Sequence, residues 1–398
     1  MPALTRLYAS IALTFGGQPA IRDLIAAKYN SIIIWTVHVD TDGTLFLNNT
    51  KIVSRGVYKE AWPMNLPSCV AQLRKAGMEI IFSVGSGETS DFRNIETLLN
   101  GKPGTQGNII FDNFLALKNA MVTAGGDIDA IDIDNEDNPK AEVMINFGIT
   151  MANIKYSHVT FCPAGGQQMW YDTMSGLVKA KGSAFVNAIH LQCYSGGRWN
   201  DPAEWKAGFQ NAGGNALMIA GLATNQSSPG PWWNGDTKSP GASIHKVTNV
   251  AMSAKANWEN YLYTQNFPTI MAAFQGAQTA ASFFFYCRGP LVLSNGRSFN
   301  TGDAVFFMGS PTWGTASQCD SYFLGTPCKN IYNNNMTDAC PRDVQAQFHS
   351  WRASIDGGFI WYYDSIISCY LAACCGGSMD QPTTTALAYR EAITNALT

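Results

Sequence analysis

Residues 129–136 read Asp129-Ala130-Ile131-Asp132-Ile133-Asp134-Asn135-Glu136. In an extended strand, successive side chains point to opposite faces, so Asp132, Asp134 and Glu136 share one face while Ile131 and Ile133 share the other. Acids on one side and packing isoleucines on the other describe a strand whose acidic face looks into a barrel. Carboxylates crowded in this way raise the pKa of at least one of them. A carboxylic acid can then keep its proton near neutrality and hand it to a leaving oxygen. Folding alone disfavours such a stack, because buried carboxylates are costly unless paired. A calcium loop is the competing reading. It requires Gly at its sixth position and Glu at its twelfth, and loop-forming residues where this run has Ile. Asp129 has the opposite parity and reads as structural, bonding backbone amides where the strand begins.

Outward from this run, short β-branched or apolar stretches alternate with longer helical ones, the pattern of a parallel sheet wrapped by crossover helices. Strands are expected near Leu7–Thr14, Ser31–Val39, Met78–Val84, Ala130–Asp134, His158–Pro163, Ala188–Tyr194, Leu217–Leu222 and Gly358–Tyr362. Helices are expected over Gln18–Lys28, Leu66–Ala76, Ile109–Ala124, Asp137–Asn153, Trp170–Lys181 and Thr383–Ala396. Eight strands with intervening helices predict an α/β fold, a (β/α)8 TIM barrel in a single catalytic domain of 398 residues. The seventh and eighth strands are too far apart for one loop. Residues 224–355 are therefore expected to form an inserted subdomain, with the apolar run from Ala281 as the one competing candidate for a barrel strand.

Charged residues make up only 14% of the chain and hydrophobic ones 46%, which supports a large core and little disorder. A net charge of −3 offers no footprint for a polyanion, so nucleic acid is not an expected partner. No run of about eighteen apolar residues suggests a membrane span. The ten cysteines include Cys319, Cys328, Cys340, Cys369, Cys374 and Cys375, clustered as in a disulfide-stapled region of a secreted protein, and secretion is the expected location. A metal site is not expected: no CxxC pair occurs and the five histidines are scattered. Eleven tryptophans, several beside Gly, Asn or Asp, include Trp35, Trp199 and Trp232 as candidates to stack on sugar rings.

The spacing Asp129-x-x-Asp132-x-Asp134-x-Glu136 resembles the DxxDxDxE signature of glycoside hydrolase family 18, the chitinases and endo-β-N-acetylglucosaminidases, at all four acidic positions. Ser83-Val84-Gly85-Ser86 resembles the family's SxGG, with Ser86 in place of the second Gly. Gln192-Cys193-Tyr194 resembles its QxY, with Ser195 where Asn or Asp is common, and Gly358-Phe359-Ile360-Trp361 resembles its last strand. The resemblance implies a retaining hydrolase of β-1,4-linked N-acetylglucosamine in which the substrate's own N-acetyl oxygen attacks, without a cofactor. It implies Glu136 as acid and base, Asp134 as the group that orients the acetamide, and Asp132 as its partner in sharing a proton. It further implies Tyr194 as a bond to the acetamido oxygen, Trp361 as the apolar floor, Gln192 in the sugar site, and Ser83 and Gly85 as supports. The small Asn135 before the acid suggests room on that side of the glycan. An N-acetylglucosamine-containing saccharide is the expected partner, bound by a monomer. An endoglycosidase cutting the chitobiose core of N-glycans and a non-catalytic lectin on the same fold remain alternatives.

Overall fold

In the computed structural model, residues 3–10, 13, 17–60, 65–87, 89–197, 199–224, 281–286, 291–292, 298–299, 304–309, 341–368 and 385–398 are described. The strands, in chain order, are β1 Leu4–Ala9, β2 Ser31–Val39, β3 Leu45–Leu47, β4 Thr50–Ser54, β5 Val57–Tyr58, β6 Glu79–Gly85, β7 Ala130–Asp134, β8 His158–Phe161, β9 Val186–Gln192 and β10 Leu217–Ala223. They continue with β11 Ala281–Tyr286, β12 Leu291–Val292, β13 Ser298–Phe299, β14 Ala304–Gly309 and β15 Gly357–Trp361.

Strands β1, β15, β10, β9, β8, β7, β6 and β2 follow one another in hydrogen-bonded order, and β1 also pairs with β2, so the ring closes. Every pairing in that ring is parallel. Helices Gly17–Ala27, Leu66–Lys75, Ala141–Ile154, Gln167–Lys181 and Pro202–Asn211 run between successive strands, and Ala386–Leu397 packs on β1 and β15. This is the expected eight-stranded α/β barrel, and its strands lie within a few residues of the positions read from sequence. Runs such as SIIIWTVHV in β2 are buried on both faces, as a strand between helices and a filled interior must be.

Three pieces depart from the sequence reading. A meander of β3, β4 and β5 extends the sheet beyond β2 by antiparallel pairing. Helices Asp91–Leu99 and Pro202–Asn211 were not anticipated. The second starts at Asp201, whose side chain accepts from the Ala203 amide, with Pro202 at the first turn.

By internal contacts the chain divides into two units. One comprises Met1–Ala223, Asp343–Asp364 and Ala386–Thr398, the other Thr224–Arg342 and Ser365–Thr385. The first carries the barrel. In the second, β11 pairs antiparallel with β14 and β12 with β13, so the run from Ala281 stands outside the barrel sheet. Set against the inserted subdomain expected over 224–355, the first segment of this unit ends at Arg342, and helix Pro341–Trp351 leads directly into β15.

Inside the barrel, register stacks the inward side chains in layers. Arg6, Ser31 and Glu79 are paired positions on β1, β2 and β6. Four residues further along β6, Ser83, Asp132 and Thr160 are paired positions on β6, β7 and β8. Gly85 and Asp134 form the next pair, at the C-terminal mouth where barrel enzymes carry their sites.

Candidate active site

Strand β7 ends at Asp134, two residues before Glu136. The expected stack of three strand acids is therefore corrected: Asp132 and Asp134 are buried on the inward face, and Glu136 stands on the loop beyond, exposed. Asn135 causes the break. Its side-chain oxygen accepts from the amides of Asp137 (3.3 Å) and Asn138 (3.0 Å), and its amide donates to the Asn138 carbonyl at 2.6 Å. That is a side-chain-closed turn of the kind Asn favours. Asn135 is itself buried in this turn, where it shapes the loop, and it also borders the cavity that Glu136 lines.

One amide spans the gap that the turn opens. Gln192 Nε2 lies 3.3 Å from Asp134 Oδ1 and 3.1 Å from Glu136 Oε1. Asp134 also accepts from Trp35 Nε1 at 3.3 Å. Burial, then the charges of Glu136 and Asp132, push the Asp134 carboxyl well above its usual range, which favours its protonated form. Asp132 goes the other way. Burial alone would raise it, but His190 and the hydroxyls of Thr160 and Tyr8 outweigh burial and hold it below the carboxylate norm.

The strand ends carry this geometry. Gly85 has φ +100°, a left-handed backbone that suits glycine, and a Cβ there would run into the Asp134 carbonyl. Gly87 leaves the Glu136 carboxylate space beside the β6 loop, where a Cβ would meet Glu136 Oε2 at 3.1 Å. Asn200 Nδ2 donates to the carbonyls of Gln192 (2.8 Å) and Ala164 (3.0 Å), and Trp205 Nε1 donates to Asn200 Oδ1 at 3.1 Å. Sequence reading missed Asn200. It sits immediately before an Asp-Pro-Ala-Glu-Trp run, and nothing in that run reveals a bond back to β9.

Aromatic rings form one wall. Trp361 meets Trp35 edge-on at 4.5 Å between centroids and stacks on Tyr194 at 6.2 Å and 24°. The peptide bonds Trp35–Thr36 and Trp361–Tyr362 are cis. Tyr194 is buried, and burial followed by its acidic and thiol neighbours raises its phenol. Glu136 also borders a cavity of about 530 Å³, lined in part by Asn135, Pro139, Ala164, Gly166, Met169 and Gly196.

Of the remaining expected residues, Ser83 donates to Asp132 Oδ2 at 2.9 Å. Asp129 accepts from the Ile80 amide and from Arg74 Nη1, both at 2.8 Å, at the opposite end of β7 from the acids. Trp199 is 81% exposed. Trp232 and the cysteines from Cys319 to Cys375 lie outside the described residues; Cys69, Cys162 and Cys193 are buried free thiols. Among the described residues no group of His, Cys, Asp and Glu is arranged to hold a metal ion, and no helix is long and apolar enough to cross a membrane.

No family model and no curated protein sequence matches the chain. Among solved structures, it is similar to the GH18 chitinase ChiB from the chitin utilization locus of Flavobacterium johnsoniae, at 9% identity and a TM-score of 0.46 over 98% of this chain and 94% of that one. It is similar to chitinase ChiA74 from Bacillus thuringiensis, at 11% identity and a TM-score of 0.45 over 96% and 70%. The spore cortex-lytic enzyme SleL of Bacillus megaterium QM B1551 aligns at 12% identity and a TM-score of 0.43 over 90% and 70%. The barrel follows from the chain's own strand order, and nothing about substrate is read from these likenesses.

Proposed function

We propose that this protein is a glycoside hydrolase that cleaves the β-1,4 bond beside an N-acetylglucosamine unit with net retention, the substrate's own acetamide acting as nucleophile. The observation that carries this reading is the Gln192 amide shared between Glu136 at the rim and the buried Asp134 below it. It supports a division of labour. Glu136, reachable from solvent, protonates the glycosidic oxygen and later takes a proton from water. Asp134, buried below Glu136, meets the acetamido group and, by accepting its N–H, orients it for attack.

The acetamide must be held in line for attack, and rigid neighbours are what such positioning requires. Tyr194 is the group we assign to the acetamido oxygen, and Trp361 with Trp35 the apolar surface beneath the sugar. No cofactor is needed for this chemistry. The clustered cysteines are the ground for proposing that the protein works outside the cell.

The test is Glu136→Gln, which keeps the size and hydrogen bonding of the side chain and removes the transferable proton. Chitotetraose turnover is expected to fall by at least about a thousandfold, with binding by calorimetry retained; unchanged turnover sinks the assignment. Incubating the wild type in parallel with colloidal chitin and with a high-mannose glycoprotein, then identifying the released sugars, separates a chitinase from an endoglycosidase. Binding without release from either identifies a lectin.

A further inference from the structure

Asp132 has no free site for a proton. Its Oδ2 accepts from the hydroxyls of Tyr8 (2.8 Å) and Ser83 (2.9 Å), and its Oδ1 from the hydroxyl of Thr160 (2.6 Å) and from His190 Nδ1 (2.8 Å). A carboxylate offers about four acceptor positions, and all are taken. Among the described residues no hydrogen bond joins Asp132 to Asp134.

The role of His190 follows from its other neighbour. Arg6 Nη1 lies 2.6 Å from His190 Nε2. A guanidinium only donates, so Nε2 must accept and the single ring proton must sit on Nδ1, aimed at Asp132. By filling the Nε2 lone pair, Arg6 also opposes a second proton on the ring. Arg6 is 3% exposed and stands 3.5 Å from Glu79 Oε2, while His158 Nε2 stands 3.1 Å from Glu79 Oε1. A row of polar groups, Asp132, His190, Arg6, Glu79 and His158, therefore runs from the catalytic layer toward the N-terminal end of the barrel.

We propose that Arg6 and His190 are positioning residues of this reaction: together they hold Asp132 as a fully bonded anion, so that the proton of the carboxyl pair stays on Asp134 and is not shared. The proposal rests on the roles of Asp134 and Glu136 put forward above. It also departs from the sharing that the family resemblance implies. The groups facing Asp134 are Glu136, Asp132, Cys162, Tyr194 and Tyr8, with Trp35 and Gln192 donating. Those facing His190 are Asp132, Arg6 and Glu79, with the rings of Tyr8 and Phe359 edge-on. Burial first, then Arg6, lowers the imidazole against the pull of Asp132, in keeping with a neutral ring.

Two measurements test this. In 15N NMR of histidine-labelled wild type from about pH 5 to 8, the signal lost in His190→Asn should show a protonated Nδ1 and a bare Nε2 throughout. An imidazolium or the opposite tautomer in that range overturns the proposal, whatever the protein's activity. Second, with 4-methylumbelliferyl chitobioside as probe, His190→Leu removes a donor from Asp132, and the acid limb of kcat/KM should move up by about one pH unit or more with little change in KM. His190→Asn, whose amide can replace the Nδ1 donor, should bring the limb back. An acid limb in folded His190→Leu that coincides with the wild type overturns the proposal. If that variant fails to fold, the tautomer decides. If the wild type leaves the probe uncut, the hydrolase reading fails while the tautomer still tests the row.

Discussion

Gln192 bridges two carboxyl groups across the turn made by Asn135. Leucine in its place keeps the volume and removes the donor. A hydrogen bond to a charged group contributes about 1.5–3 kcal/mol, so Gln192→Leu should lower kcat/KM by about ten- to a hundredfold with KM little changed, read from steady-state kinetics. Asp134 makes the opposite prediction for stability. Its folded pKa is raised, so ionisation is harder in the folded chain than in the unfolded one, and at pH 7 the group destabilises the fold. Asp134→Asn should therefore melt at a higher temperature than wild type at pH 7. The difference should vanish below the ordinary carboxylate range, where both states are protonated; a lower melting temperature at pH 7 refutes this. At this scale the acids of β7 were legible, because alternation with Ile131 and Ile133 fixed their side of the strand. His190 and Arg6 were not singled out, although each lies two residues from an inward neighbour, Gln192 and Tyr8. Parity marks the face a side chain shares, but which side chains meet across the barrel depends on stagger between strands far apart in sequence.

Individual strands place the acids through their ends. At Gly85 the backbone turns left-handed directly over the Asp134 carbonyl, so Gly85→Ala meets both a φ penalty and a collision. A loss of about 1–4 kcal/mol in urea unfolding is expected, with activity falling further than stability because β6 must shift away from Asp134; a neutral substitution would remove Gly85 from this role. The barrel strands could be read because parallel strands buried on both faces appear as continuous β-branched runs. The β3–β5 meander escaped notice since its strands are short, β4 begins with Thr and Lys, and Asn and Arg stand in the turns between them. Helix Asp91–Leu99 was hidden by a first turn of Asp, Arg and Asn, residues that read as loop until the buried Phe92, Ile95 and Leu99 are placed on one face. The bounds of β7 were read as they are found, but the alternating face was carried two residues too far, to Glu136, because the turn chemistry of Asn135 overrides it.

Across the whole molecule, the interior row ties stability to acid pH. Burial would raise Glu79, yet His158, Arg6 and Ser31 bring it down to about 2 from an ordinary value of 4.5. A depressed carboxyl contributes stability that is complete above its unfolded value and is lost as pH falls through the folded one, here between about 4.5 and about 2. Glu79→Gln should therefore lower the melting temperature at pH 7, and its melting curve should converge on that of the wild type as the pH approaches 2. A constant difference across that window would show that Glu79 acts through packing alone. Ring closure has a consequence for synthesis. Leu4–Ala9 cannot be flanked on both sides until Gly357–Trp361 leaves the ribosome, since β15 is the strand that joins β1 to β10. While residues 224–356 are being translated, for roughly 7 to 27 s at typical elongation rates, the nascent chain presents a curved sheet with two bare edges. Cells producing this protein must shield that half-built ring from its own copies.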